Sequence, residues 1–131
     1  MRSRQKALLV AELAKGKKAE DIVILDMRKL SNITDFFIIA TSSSTARSQT
    51  IIDNIRESLL KAGESLASIE GYRDTGWMLA DAYDVVLHVF SEEARRFYNL
   101  ESLWGDAPRV RLCQKNRKKT VKRSKKTSKR R

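Results

Sequence analysis

The chain predicts a single α/β domain, a mixed sheet of about five strands flanked by helices, and three observations carry that prediction. Ile22–Met27 and Phe36–Thr41 are short, nearly continuous apolar runs rich in β-branched or aromatic residues, as strands buried on both faces require. Ser48, Ile51, Ile52, Ile55, Leu59 and Ala62 recur at helical spacing and run into Gly63, so one helix would turn that stripe toward a core. From Gly76 to Phe90 the period changes to two, and Met78, Ala80, Val85, Leu87 and Val89 fall on one wholly apolar face of a hairpin. Helices before, between and after such strands build a layered mixed sheet.

In chain order, Lys6–Lys15 sets Ala7, Val10, Ala11 and Ala14 on one face of a first helix that Gly16 closes. The Ile22 and Phe36 runs follow as the expected central strands. Ser42, Ser43, Ser44 and Thr45 offer hydroxyls to cap the core-striped helix. Leu66–Tyr72 is a third strand, and Gly76–Ala80 and Tyr83–Phe90 are the fourth and fifth. Ser91 then caps a last helix, expected to run through Leu103, whose first turn carries Glu92 and Glu93 where the helix dipole favours acids. After Pro108 the hydrophobic pattern stops.

At 131 residues the chain is long enough for one modest core and too short for two domains. Its net charge of +11 is concentrated. Residues 114–131 hold eleven cations and no acid: Lys115, Arg117, Lys118, Lys119, Lys122, Arg123, Lys125, Lys126, Lys129, Arg130 and Arg131. Taking those eleven from the 27 basic residues leaves 16, against 16 acidic ones in the body, which is therefore electrically balanced. The expected division is a folded domain over 1–112 and a disordered basic arm over 113–131, since the arm has too little apolar surface to order itself. Such an arm attracts RNA phosphates whatever their sequence, or else acts only as a solvated extension; it holds no aromatic for base stacking. Cys113 is the only cysteine, which excludes an internal disulfide and suits a reducing compartment. The first residues are basic and then apolar, but Glu12 interrupts them and no stretch reaches membrane-spanning length. A cytoplasmic protein without membrane contact is expected.

The second face of the hairpin is the main functional pointer. With a tight turn of even length at Ala82-Tyr83, Asp81 would pair with Asp84, Leu79 with Val86 and Trp77 with His88. That face then mixes a large aromatic, an imidazole and two like charges, a set suited to a partner surface. The alternative is that a helix of the same chain covers Trp77 and that both aspartates serve the turn.

Catalytic chemistry has weaker candidates. Asp26 and Asp35 stand near the ends of adjacent strands and could hold a divalent metal for nucleotidyl transfer. They lie on different elements, and aspartates at strand ends commonly satisfy loop amides. The hydroxyl-rich turn at Thr41–Thr45 lacks the glycine that lets phosphate approach the backbone. His88 has no second histidine or cysteine nearby with which to bind a metal. No cofactor, metal or catalytic residue is expected.

Several motifs in order carry a resemblance: D-x-x-x-L-D-x-R-x-L-S at Asp21–Ser31, T-D-F-F-I-I-A-T at Thr34–Thr41, Glu70-Gly71, W-x-L-x-D at Trp77–Asp81, D-V-V-x-H-V-F at Asp84–Phe90 and R-x-F-Y-x-L-E-x-L-W at Arg95–Trp104. Over about residues 5–110 the chain resembles the ribosomal silencing factor family, also called Iojap-related. The resemblance implies a nucleotidyltransferase-like fold without that activity. It also implies binding to ribosomal protein L14 on the large subunit, so that the small subunit cannot join and translation is repressed when nutrients fall. It points to Trp77, Asp81 and Asp84 as L14-contacting positions, on the hairpin face that also holds Leu79 and His88; the basic arm after Leu112 lies outside the resemblance and is expected on ribosomal RNA from its charge alone, and a homodimer is a further expectation for the free protein. Organelle relatives imply a second role, large-subunit assembly through the same contact; metal-dependent nucleotidyl transfer through Asp26 and Asp35 is the remaining alternative. The chain departs from the family pattern where Ser42 and Ala82-Tyr83 replace customary glycines.

Overall fold

The computed structural model describes residues 1–72 and 76–112. Its elements are α1 (Ser3–Gly16), β1 (Glu20–Asp26), β2 (Phe36–Thr41), α2 (Thr45–Lys61), β3 (Ser68–Tyr72), β4 (Trp77–Asp81), β5 (Val85–Phe90), α3 (Glu92–Tyr98), α4 (Leu100–Leu103) and β6 (Arg109–Val110). The strands form one sheet in the order β3-β4-β5-β2-β1-β6. Only β2 and β5 are parallel; the other neighbours are antiparallel. This is the mixed α/β domain expected, with one strand more. β6 escaped notice because two residues, paired with Ile24 and Leu25, are too short to show a period.

The two faces of the sheet are covered unequally. On the first, α1 and α2 pack Ala7, Val10, Ile51, Ile55 and Leu59 against Ile24, Phe36, Ile38, Val85, Leu87 and Val89. The helix stripe and the apolar hairpin face foreseen from the sequence are both in this core. The hydroxyl caps are also present: Ser44 Oγ accepts from Arg47 N at 3.0 Å and Ser91 Oγ accepts from Ala94 N at 3.0 Å. On the second face, among the described residues, only the short helices α3 and α4 and the chain leading to β6 lie over Leu25, Ile39 and Phe90, through Ala94, Leu100, Trp104 and Ala107.

Three expectations are corrected. The sheet centre is β5 and β2, while β1 lies next to the edge, because β5 inserts parallel to β2 in full register from Phe36–Val85 to Thr41–Phe90. The last helix is broken at Asn99, whose φ of +47° suits an asparagine better than most residues and starts a new turn. The hairpin register is displaced by two residues: Asp81 pairs with Val86, Leu79 with His88 and Trp77 with Phe90. The reason is the turn. Ala82 N donates to Val85 O at 2.8 Å, so Tyr83 and Asp84 form its tip, not Ala82 and Tyr83. A displacement of two preserves which residues share a face, so the division into core and second faces survives. The expected arm over 113–131, with its RNA contacts, lies outside the described residues.

Candidate functional site: a half-covered aromatic face

Strand alternation brings Trp77, Leu79 and Asp81 of β4 beside Val86, His88 and Phe90 of β5, with Phe37 of β2 next to Val86. These side chains stand on the second face, where cover is incomplete. Trp77 is half-buried: its ring lies 4.6 Å from that of Tyr98 on α3 and 5.2 Å from Phe90. A helix of the same chain therefore covers part of the indole, and Leu79, Val86 and Phe37 are likewise only partly buried. Beyond them Phe97 is 79% exposed and Leu103 69% exposed, projecting from α3 and α4. A helix of seven residues with aromatics at adjacent positions cannot turn both inward, so Ala94 takes the core and Phe97 is left in solvent.

His88 lies under this cluster and is 4% exposed. Trp77 Nε1 donates to His88 Nδ1 at 3.2 Å, and the Phe37 ring meets the imidazole edge to face at 4.7 Å. Burial pushes the imidazole down to a pKa of about 4, so it is neutral at physiological pH. With Nδ1 accepting, the proton of the neutral ring belongs on Nε2, which has no hydrogen-bond partner among the described residues. His88 orients the indole from below and is not itself at the surface.

The aspartates have separate duties. Asp81, half-buried at the rim of the face, accepts from Tyr83 N at 2.8 Å and so supports the turn. Asp84 is not opposite it. Its carboxylate takes a hydrogen bond from Lys6 Nζ at 2.7 Å, and Lys6 also donates to Ala82 O at 2.9 Å and lies 3.1 Å from Glu64 Oε1. Burial alone would lower the pKa of this lysine, but the hydrogen bonds it donates to Asp84 and Glu64 outweigh it and hold the pKa above its ordinary value.

The sequence also singled out Asp26 and Asp35. Arg28 forks onto Asp26 at 2.9 and 2.7 Å, and those hydrogen bonds hold the carboxyl below the usual carboxylate range. Asp35 follows on the same loop, and its backbone N–H donates to Asp84 O at 2.8 Å. Among the described residues no cluster of three or more His, Cys, Asp or Glu could hold a metal, and no helix is long and apolar enough to cross a membrane. Sequence reasoning missed Phe97, Leu103, Phe37 and Trp104 as parts of the face. A short segment crowded with large apolar residues, RRFYNLESLW, was the available signal.

Fold and face together define a small mixed-sheet α/β domain that presents an aromatic surface beside its terminal hairpin. The family model described as "Ribosomal silencing factor during starvation" matches residues 1–131, and the chain belongs to that family. It is 39% identical over 112 residues to a ribosomal silencing factor of Halalkalibacterium halodurans, covering 86% of this chain and 96% of that one. A crystal structure of a protein from Chromobacterium violaceum is similar with a TM-score of 0.76 and 32% identity, over 80% of this chain and 88% of that one. A mouse protein named for mitochondrial assembly of the ribosomal large subunit is 25% identical over 99 residues, covering 73% of this chain and 43% of its own.

Proposed function

We propose that the protein binds ribosomal protein L14 on the large subunit through its second sheet face, keeps the small subunit from joining, and so represses translation under nutrient limitation. Family membership supports a ribosome-directed regulator. The observation that carries the docking site is the half-covered face, where Tyr98 packs on the half-buried Trp77 and in turn meets Phe97, and where Phe97 and Leu103 of α3 and α4 are exposed. Exposed aromatics grouped around a partly buried tryptophan are the composition of an interface core. Asp81 at the rim suits a basic partner, and the eleven cations of 114–131 would add ribosomal RNA affinity without choosing the site. His88 and Asp84 serve this face indirectly, one by holding Trp77 and the other by tying the turn to Lys6. The action is steric and involves no turnover. A homodimer of the free protein would use the same apolar surface.

The experiment is sedimentation of purified subunits with and without the protein. Co-sedimentation with large but not small subunits, and fewer joined ribosomes at fixed magnesium, are expected; normal joining at saturating protein would refute the blocking role. The mouse relative's name favours a second use of the same contact, in large-subunit assembly. That role predicts a deficit of mature large subunits when the protein is depleted from growing cells.

A further inference from the structure

At the other edge of the sheet, β6 pairs with Ile24 and Leu25, so among the described residues the first half of β1 has no strand on its outer side. A bulge between Glu20 and Val23, with Asp21 at φ +50°, bends that half. Between it, the end of α1 and the chain leaving β6 lies an open groove of about 410 Å³. Ile22, Val110 and Leu112 contribute apolar lining, and Lys15, Arg109 and Arg111 line it with charge. Lys17 and Lys18 follow Lys15 after Gly16. All five of these cations are exposed, against two acids, Glu20 and Asp21. The Arg109 side chain is 61% exposed and approaches Glu101 no closer than 3.9 Å.

We propose that this groove is a second contact surface, which receives phosphate groups of an RNA strand. The inference rests on the ribosome-directed function proposed above and assigns RNA to the β6 edge of the sheet, four strands from Trp77 on β4. Charge selects the occupant. Guanidinium groups at Arg109 and Arg111 can fork onto phosphate oxygens, and Lys15 adds a point charge. Continuity in sequence selects it too: Leu112 lines the groove, and the eleven cations begin three residues later at Lys115. That cationic segment is a poor occupant of a groove already rich in like charge. With no aromatic in the lining, the contact is to backbone and not to stacked bases. β6 lies four strand spacings from β4, about 20 Å, so the protein partner and the RNA can be held together.

The test uses the full chain and a 30-nucleotide single-stranded RNA across a salt series. K15Q/R109Q/R111Q should bind about tenfold more weakly at low salt, with a log–log salt slope flatter by about two, since each phosphate contact contributes a little under one. K29Q/R56Q/K61Q has the same net charge and should match the wild type. Equal weakening by both variants would reduce the effect to net charge and overturn the site, as would no weakening by either. Displacement of the RNA by polyglutamate as readily as by polyuridylate of equal charge would assign the groove to acidic peptides instead. Binding of the groove variant to isolated L14 should be unchanged. If the wild type binds RNA through the groove but fails to bind large subunits, the function proposed above falls and the groove assignment stands.

Discussion

Lys6 Nζ and Asp84 Oδ1 lie 2.7 Å apart, joining α1 to the tip of the β4–β5 turn across 78 residues of sequence. The ammonium has three N–H groups and three acceptors, Asp84, Ala82 O and Glu64, so a lysine that is 3% exposed is fully satisfied. Lys6→Met keeps the volume and removes every donor. It leaves the Ala82 carbonyl and two carboxylates without their cation, which should cost about 2–3 kcal/mol, below the figure for a fully buried pair because both carboxylates can reach water. Urea denaturation would measure it. An unchanged midpoint would show that the turn does not depend on this anchor.

His88 predicts a specific acid sensitivity. Its pKa is about 4 in the fold, below its ordinary 6.5, so between those values the unfolded chain binds a proton that the native state refuses. Stability is therefore fully present above pH 6.5 and falls as pH drops toward 4, by roughly 3 kcal/mol in total. Glu64, Asp26 and Glu101 are held below the usual carboxylate range, so their contributions are lost only at lower pH. As His88 is the only histidine, loss between pH 6.5 and 5 belongs to it. His88→Gln should flatten that part of the curve in thermal melts from pH 5 to 7.5, and a slope unchanged by the substitution would count against the assignment.

The same two sites show what the sequence could and could not convey. Alternation put Trp77, Leu79 and His88 on one face and Ala80, Leu87 and Val89 on the other, because period two is a local property of a strand. The register was not legible, since it depends on which two residues form the turn tip, and the partner of Asp84 is a lysine 78 residues away. Lys6 is one of three basic residues in α1, beside Arg4 and Lys15, and nothing in the sequence marks it as the one that will be buried. Likewise the composition of β5 revealed a buried strand but not that it would insert parallel to β2 at the sheet centre. The acidic pair expected at Asp81 and Asp84 was an error of this kind: Asp81 stands opposite Val86, and Asp84 turns to Lys6 instead.

Tyr83 occupies the turn tip with φ +71° and is 60% exposed. A non-glycine residue in that region costs about 1–2 kcal/mol, partly offset in a glycine variant by the greater freedom of the unfolded chain. Tyr83→Gly should stabilise the fold by about 1 kcal/mol and raise Tm by roughly 4 °C for a domain of this size. Tyr83→Ala keeps the strain and should not raise it. Equal gains in both would mean that the exposed ring, and not the backbone, is unfavourable.

Separating an interface residue from a structural one is the hardest point at the aromatic face, because Trp77 packs into the fold on the face proposed to bind L14. Its indole packs on Tyr98 and Phe90 and bonds to His88, so Trp77→Ala should lower both stability and large-subunit binding. Phe97 and Leu103, at 79% and 69% exposure, bury too little to matter to the fold. Surface substitutions away from special features usually change stability by under about 0.5 kcal/mol, whereas an aromatic anchor in an interface contributes about 2 kcal/mol or more. Phe97→Ala and Leu103→Ala should therefore melt with the wild type while weakening L14 binding, the phenylalanine variant by close to thirtyfold. Calorimetry on isolated L14 beside thermal melts of each variant reads both quantities. If both variants bind as tightly as the wild type, the docking surface is not this face, and the exposed residues of α3 and α4 must serve another partner.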